Sequence, residues 1–258
     1  MKYYAHLMLM AGALALSGCG TAGALGGSSK SKSGDGVSSA MASAARDAAG
    51  KGNLHDSLMI NEKLYQGDPD NTQYIIAYAR DLRRAGKIDD AKLVIRTPAK
   101  KAKAKEPILT ECAMVLIASG EYNEAQTFAQ NAVNAQENSP DAHQALALAL
   151  SGLGDHVGAQ YEFQHAMDLW PEGRDKTSVI NNLAMSLAAQ GKISEAKTTM
   201  ALATGQALES PTYQNNRALL NTLEDAPRAE VLPLKDGKKP AKKGGKVKPT
   251  GMKPILED

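Results

Sequence analysis

The sequence predicts an all-α superhelix of stacked helical hairpins, and three observations carry that expectation. Ala and Leu are abundant while aromatics make up 4% of the 258 residues, a balance that favours helix over sheet. One pattern of small and large apolar residues runs without a gap through four consecutive units and, after three extra residues, through a fifth. Four glycines stand in phase, Gly86, Gly120, Gly154 and Gly191, each followed five residues later by Ala. A hairpin of this kind cannot bury its apolar face alone, so the units must stack on one another.

The best-formed unit is Pro140 to Gly173, PDAHQALALALSGLGDHVGAQYEFQHAMDLWPEG. Leu146 and Leu150 lie one turn apart on a first helix, and Ala147 beside them is small enough to admit the second helix. Gly154 stops the first helix, and Asp155 sits where the second helix presents its positive end. Ala159, Phe163 and Ala166 then line the inner face, and Pro171 ends the unit. These positions, with their Ala-x3-Phe step, match the tetratricopeptide pattern. The expected fold is therefore a tetratricopeptide (TPR) helical-hairpin superhelix of about five repeats plus a C-terminal capping helix. Within this unit the first-helix positions Asp141, Gln144, Leu148 and Ser151 read as exposed and chemically bland, which makes it a central spacer.

Taken in order, the chain opens with a signal peptide over residues 1–18: a basic Lys2, an apolar run from Leu7 to Leu16, then Leu16-Ser17-Gly18-Cys19. That tetrapeptide resembles the lipobox of bacterial lipoproteins. The resemblance implies that Cys19 is lipidated and begins the mature chain, and that Gly20, being other than Asp, directs sorting to the outer membrane. Residues 19–37 are Gly/Ser-rich and read as a flexible tether, whose span is about 20 to 25 Å.

The repeat domain follows over residues 38–224. Ser38 to Asn71 is the weakest unit, with Ser57 where the others have Ala, as suits a terminal repeat. Thr72 to Lys105 carries Pro98, expected to break its second helix early. Glu106 to Ser139 places Cys112 at a position for a buried small hydrophobe. Arg174, Asp175 and Lys176 intervene before Thr177 to Ser210. Pro211 to Leu223 aligns with a first helix that has no partner, and reads as the cap; Arg217 there replaces the usual Leu. Residues 225–258 are Lys/Pro-rich and are expected to be disordered. The eight lysines from Arg228 onward suit an anionic envelope polymer, lipid headgroups or an acidic partner, or serve only to solubilise. The signal peptide argues against nucleic acid.

No catalytic constellation stands out. His55, His143, His156 and His165 fall at unrelated repeat positions and make no metal-binding motif, so no enzyme activity, cofactor or metal is expected. The net charge of +2 selects no partner. In the tetratricopeptide family, defined first-helix positions on the concave face contact a peptide. Mapped here, they give a basic patch of Gln73, Arg80, Arg83 and Arg84, then Gln144, then a ladder of Asn181, Asn182, Asn215 and Asn216 able to donate to and accept from a peptide backbone.

Ser178 to Ala196, SVINNLAMSLAAQGKISEA, with Ser210-Pro211 and Asn216-Arg217-Ala218, resembles the TadD family, tetratricopeptide lipoproteins of the tight adherence (Tad, or Flp pilus) assembly system. The similarity runs from Thr72 to Leu223. It implies a lipid-anchored protein on the periplasmic face of the outer membrane, a pilotin-like scaffold that binds the Tad secretin or another assembly component. Two alternatives remain open at this point: an accessory lipoprotein of another pilus or outer-membrane protein assembly system, and a cell-wall-associated regulator.

Overall fold

The computed structural model describes residues 32–101 and 103–224. The signal peptide, Cys19, most of the tether and the Lys-rich tail from residue 225 lie outside the described residues. Among those described there is no strand, and eleven α-helices follow one another with one short 3-10 turn. They pair as hairpins: α1 (Lys32–Gly50) with α2 (Leu54–Gly67), α3 (Thr72–Arg84) with α4 (Ile88–Ala99), α5 (Glu106–Ser119) with α6 (Tyr122–Ala135), α7 (Pro140–Leu153) with α8 (His156–Asp168), and α9 (Thr177–Ala189) with α10 (Ile193–Met200). After the 3-10 turn Gln206–Glu209, α11 (Pro211–Thr222) packs on α9 and α10 as the cap. No helix among the described residues is long and apolar enough to cross a membrane.

Local chemistry sets the helix boundaries. Gly154 ends α7 at φ 84°, a left-handed conformation that a residue with a Cβ adopts only under strain, and Gly120 ends α5 in the same way at 80°. Asp155 caps α8 by accepting from the Gly158 N–H, and Ser139 caps α7 by accepting from Ala142. Two boundaries differ from expectation. Helix α1 starts at Lys32, inside the stretch read as tether, because residues added to an established helix escape the cost of nucleation. Pro98 does not break α4 early. It sits in the last turn and the helix runs through it to Ala99, since a proline there removes little of the remaining hydrogen-bond ladder.

Small residues bring the helices together. Ala79, Ala113, Ala147 and Ala184 on the first helices, and Ala91, Ala125, Ala159 and Ala196 on the second, are all fully buried. Around them pack larger side chains such as Phe163, Leu116 and Leu148. The first helices α3, α5, α7 and α9 touch in sequence and line one face, while the second helices fill the gaps behind them. Helix α7 is enclosed so tightly that residues 142–149 are all buried. Gln144 at 3% and Leu148 at 1% exposure are therefore not the exposed positions expected of a spacer.

The first hairpin is attached differently, for α1 reaches only α2 and the link to the rest runs through α2 and α3. At that link Ser57 donates to the Asp81 carboxylate at 2.5 Å and Asn61 donates to the same oxygen at 2.7 Å, all three residues being buried. The unusual serine is thus the partner of a buried charge. Ser57→Ala, although it restores the repeat pattern, is expected to destabilise the N-terminal hairpin by about 1–3 kcal/mol, as urea denaturation would measure.

Cys112 is fully enclosed and free, and burial pushes its thiol up to about 12. At pH 8 the folded protein then holds roughly one thiolate in ten thousand at this site. In a Cys19→Ser background, iodoacetamide at pH 8 is expected to leave Cys112 unmodified until denaturant unfolds the third repeat.

Candidate protein-binding groove

The family mapping placed candidate residues on α3, α7, α9 and α11, and the structure separates them into two groups. Arg80, Arg83, Arg84 and Gln144 come together in a groove of about 420 Å3 that is lined by residues of α3, α5 and α7 and by Arg174. Gln73 is exposed but lies outside the groove.

The asparagine ladder is a structural joint. Asn181 is completely buried, and its side-chain oxygen accepts from Asn216 at 3.1 Å while its amide donates to Asn182 at 3.3 Å. Asn182 and Asn216 are buried as well, and Asn215 alone faces solvent. The close approach of α11 turns these amides toward one another, satisfying the polar groups that the cap covers. An incoming peptide backbone does not meet them in this arrangement.

In the groove, charges are arranged in interlocking pairs. Glu111 on α5, 2% exposed, accepts from the Nε of Arg83 at 2.8 Å and from the Nε of Arg80 at 3.0 Å. Arg83 is buried with it, whereas the Arg80 side chain is half exposed. Glu106 accepts from Thr110 and from Ser139, each at 2.8 Å. Arg174, from the three-residue insertion, grips Asp141 with two nitrogens at 2.7 and 3.1 Å and lies over the Trp170 ring at 4.3 Å. Such forked pairing fixes the guanidinium plane as well as its charge.

Two groove residues stand outside this pairing. Arg84 is half-buried and its side chain has no partner among the described residues. Gln144 has both its Oε1 and Nε2 buried without a partner. An amide left in that condition costs about 1–3 kcal/mol. Four guanidinium groups and three carboxylates thus line the groove; two arginines share Glu111, Glu106 pairs with no cation, and Arg84 is the arginine held on no carboxylate among the described residues.

Sequence reasoning missed Glu111, Asp141 and Arg174 as groove residues. Glu111 occupies a peptide-facing position of the third repeat that the mapping would have found, and Asp141 was mapped in the fourth but read as chemically bland. Nothing in the repeat pattern marks Arg174. The histidines are also less scattered than the spacing suggested. Antiparallel packing of α7 on α8 brings His143 within 2.6 Å of Glu162, and its ring 5.2 Å from that of His165, which in turn lies 4.8 Å from Tyr161. The other ring nitrogen of His143 meets the Glu137 carbonyl at 2.8 Å, so the ring ties the connection after α6 to α8. Among the described residues, no group of three or more His, Cys, Asp or Glu is disposed to hold a metal ion.

The arrangement matches solved repeat proteins. A thermophilic TPR protein of Thermus thermophilus aligns with a TM-score of 0.63 at 16% identity, over 72% of this chain and 100% of that one. MamA 41-end from Desulfovibrio magneticus RS-1 also aligns, with a TM-score of 0.48 at 16% identity, over 64% of this chain and 91% of that one. No family model and no curated protein matches the chain. The fold is a tetratricopeptide-repeat superhelix.

The buried pair at the groove floor gives a direct prediction. Glu111→Ala strands the Arg83 guanidinium without its counter-ion, and is expected to lower stability by about 3–5 kcal/mol in urea denaturation. Glu111→Gln, which keeps an acceptor for one of the two Nε groups, is expected to lose less.

Proposed function

We propose that this chain is a non-enzymatic scaffold that holds a segment of a protein partner in the groove across α3, α5 and α7. The observation that carries the reading is that groove. It is shared by three repeats, and it combines fixed ion pairs with polar groups that have no partner among the described residues. Repeat superhelices present such extended concave surfaces because each repeat adds one helix to the same face.

In the finer reading, the scaffold is an outer-membrane lipoprotein on the periplasmic face, anchored through Cys19 and serving the assembly of a Tad secretin and its Flp pilus in a pilotin-like role. This part is supported by the Leu16-Ser17-Gly18-Cys19 tetrapeptide and by the resemblance of Ser178 to Ala196 to the TadD family. The lipid keeps the domain at the membrane where the secretin must insert, and the tether lets it reach away from that surface. The Lys-rich tail adds electrostatic attraction to anionic envelope polymer or headgroups.

Deleting the chain from its host is expected to reduce heat-resistant secretin multimers in the outer membrane severalfold. The wild-type chain should restore them and Cys19→Ser should not. Normal multimers and normal pili in the deletion strain would overturn the pilus reading. Crosslinked recovery of barrel-assembly machinery in place of secretin would transfer the scaffold to outer-membrane protein assembly.

A further inference from the structure

We infer that the segment held in this groove is an extended peptide carrying an acidic side chain, its carboxylate on Arg84 and its backbone on the Gln144 amide. The inference deepens the scaffold reading and rests on it. It follows from what the groove leaves unmatched. Arg80 and Arg83 are held on Glu111, and Arg174 is held on Asp141. Arg84 is the lining guanidinium whose side chain has no partner among the described residues. A half-buried cation in a groove with surplus positive charge attracts a carboxylate and repels a lysine.

Gln144 supplies the second contact. Its amide lies just beneath the groove floor, with donor and acceptor both unpaired. A peptide bond offers the complementary acceptor and donor, so rotation of this long side chain into the groove satisfies two of its groups at once. An extended segment suits the site better than a helix, because a helix has already paired the backbone groups that Gln144 needs. The two contacts arise from different repeats, Arg84 on α3 and Gln144 on α7, with α5 between them. Recognition therefore requires an occupant that spans the groove, and a free carboxylic acid does not replace it.

The test uses the full chain carrying Cys19→Ser and a fluorescent, end-blocked octapeptide of alternating Asp and Ser with a benzophenone at its centre. Its counterpart has Asn at every Asp. The acidic peptide is expected to bind about tenfold more tightly than the Asn peptide, to weaken as salt rises, and to crosslink to α3, α5 or α7. Arg84→Ala and Gln144→Leu should each weaken it about fivefold or more while circular dichroism melting shows the fold intact. Equal binding of both peptides, unchanged affinity in both variants, or crosslinks confined to the Lys-rich residues 225–258 would overturn the inference. Should the peptide fail while secretin still depends on the protein in cells, the groove chemistry falls and the scaffold reading stands. Should the peptide bind as described while the deletion strain assembles secretin normally, the pilus reading falls and the groove chemistry stands.

Discussion

The structure depends on how closely its helices can approach. Two rows of alanine, one on the first helices and one on the second, are fully enclosed in four successive hairpins. A larger side chain in either row would push two helices apart, and the displacement would pass to every later repeat, because each hairpin is positioned by the one before it. The same closeness explains why polar residues on the inner face are so often buried. With helices packed so closely, a polar side chain between them must find a partner in a neighbouring repeat or go without. Glu111, Asn181 and Asp81 find partners. Gln144 does not.

That constraint divides the inner face into two kinds of surface. Toward the C-terminal end the cap presses α11 onto α9, and Asn181, Asn182 and Asn216 close on one another, which leaves Asn215 alone of the four facing solvent. Toward the middle, the charged side chains are longer and cannot be swallowed whole. Arg80 keeps its head group half outside even while its Nε bonds to Glu111. On the outer face, similar charges take a looser form. Lys92 on α4 bonds to Glu121, which holds that carboxyl below its ordinary range, and Arg96 pairs with Glu124 on α6. Such half-buried pairs align neighbouring hairpins.

Much of this architecture was legible beforehand for a simple reason: repetition averages away the ambiguity of any one segment. Gly154 alone is a weak signal, but four glycines in phase with four alanines leave little freedom for the helix boundaries. The site was less legible. Asn181 and Asn182 carry the right chemistry at the right repeat positions, yet whether an amide faces a ligand or a neighbouring helix depends on how far the cap closes, which no spacing records. Arg83 misled in the same way, since its counter-ion Glu111 lies one repeat away. Arg174 was invisible because it belongs to an insertion that interrupts the period. The serine at position 57 looked like decay of the pattern and proved to be its replacement by a specific contact.

The groove lies across helices from three different repeats, and no single rigid element sets its width. A stack of units joined only to their neighbours behaves as a spring, so a small change of angle at each junction accumulates along its length. Bending the superhelix would move Arg84 and Gln144 apart without disturbing either repeat internally. Grip and curvature are then one mechanical variable, and a force applied at either end of the repeat stack reaches the groove as a change in its span.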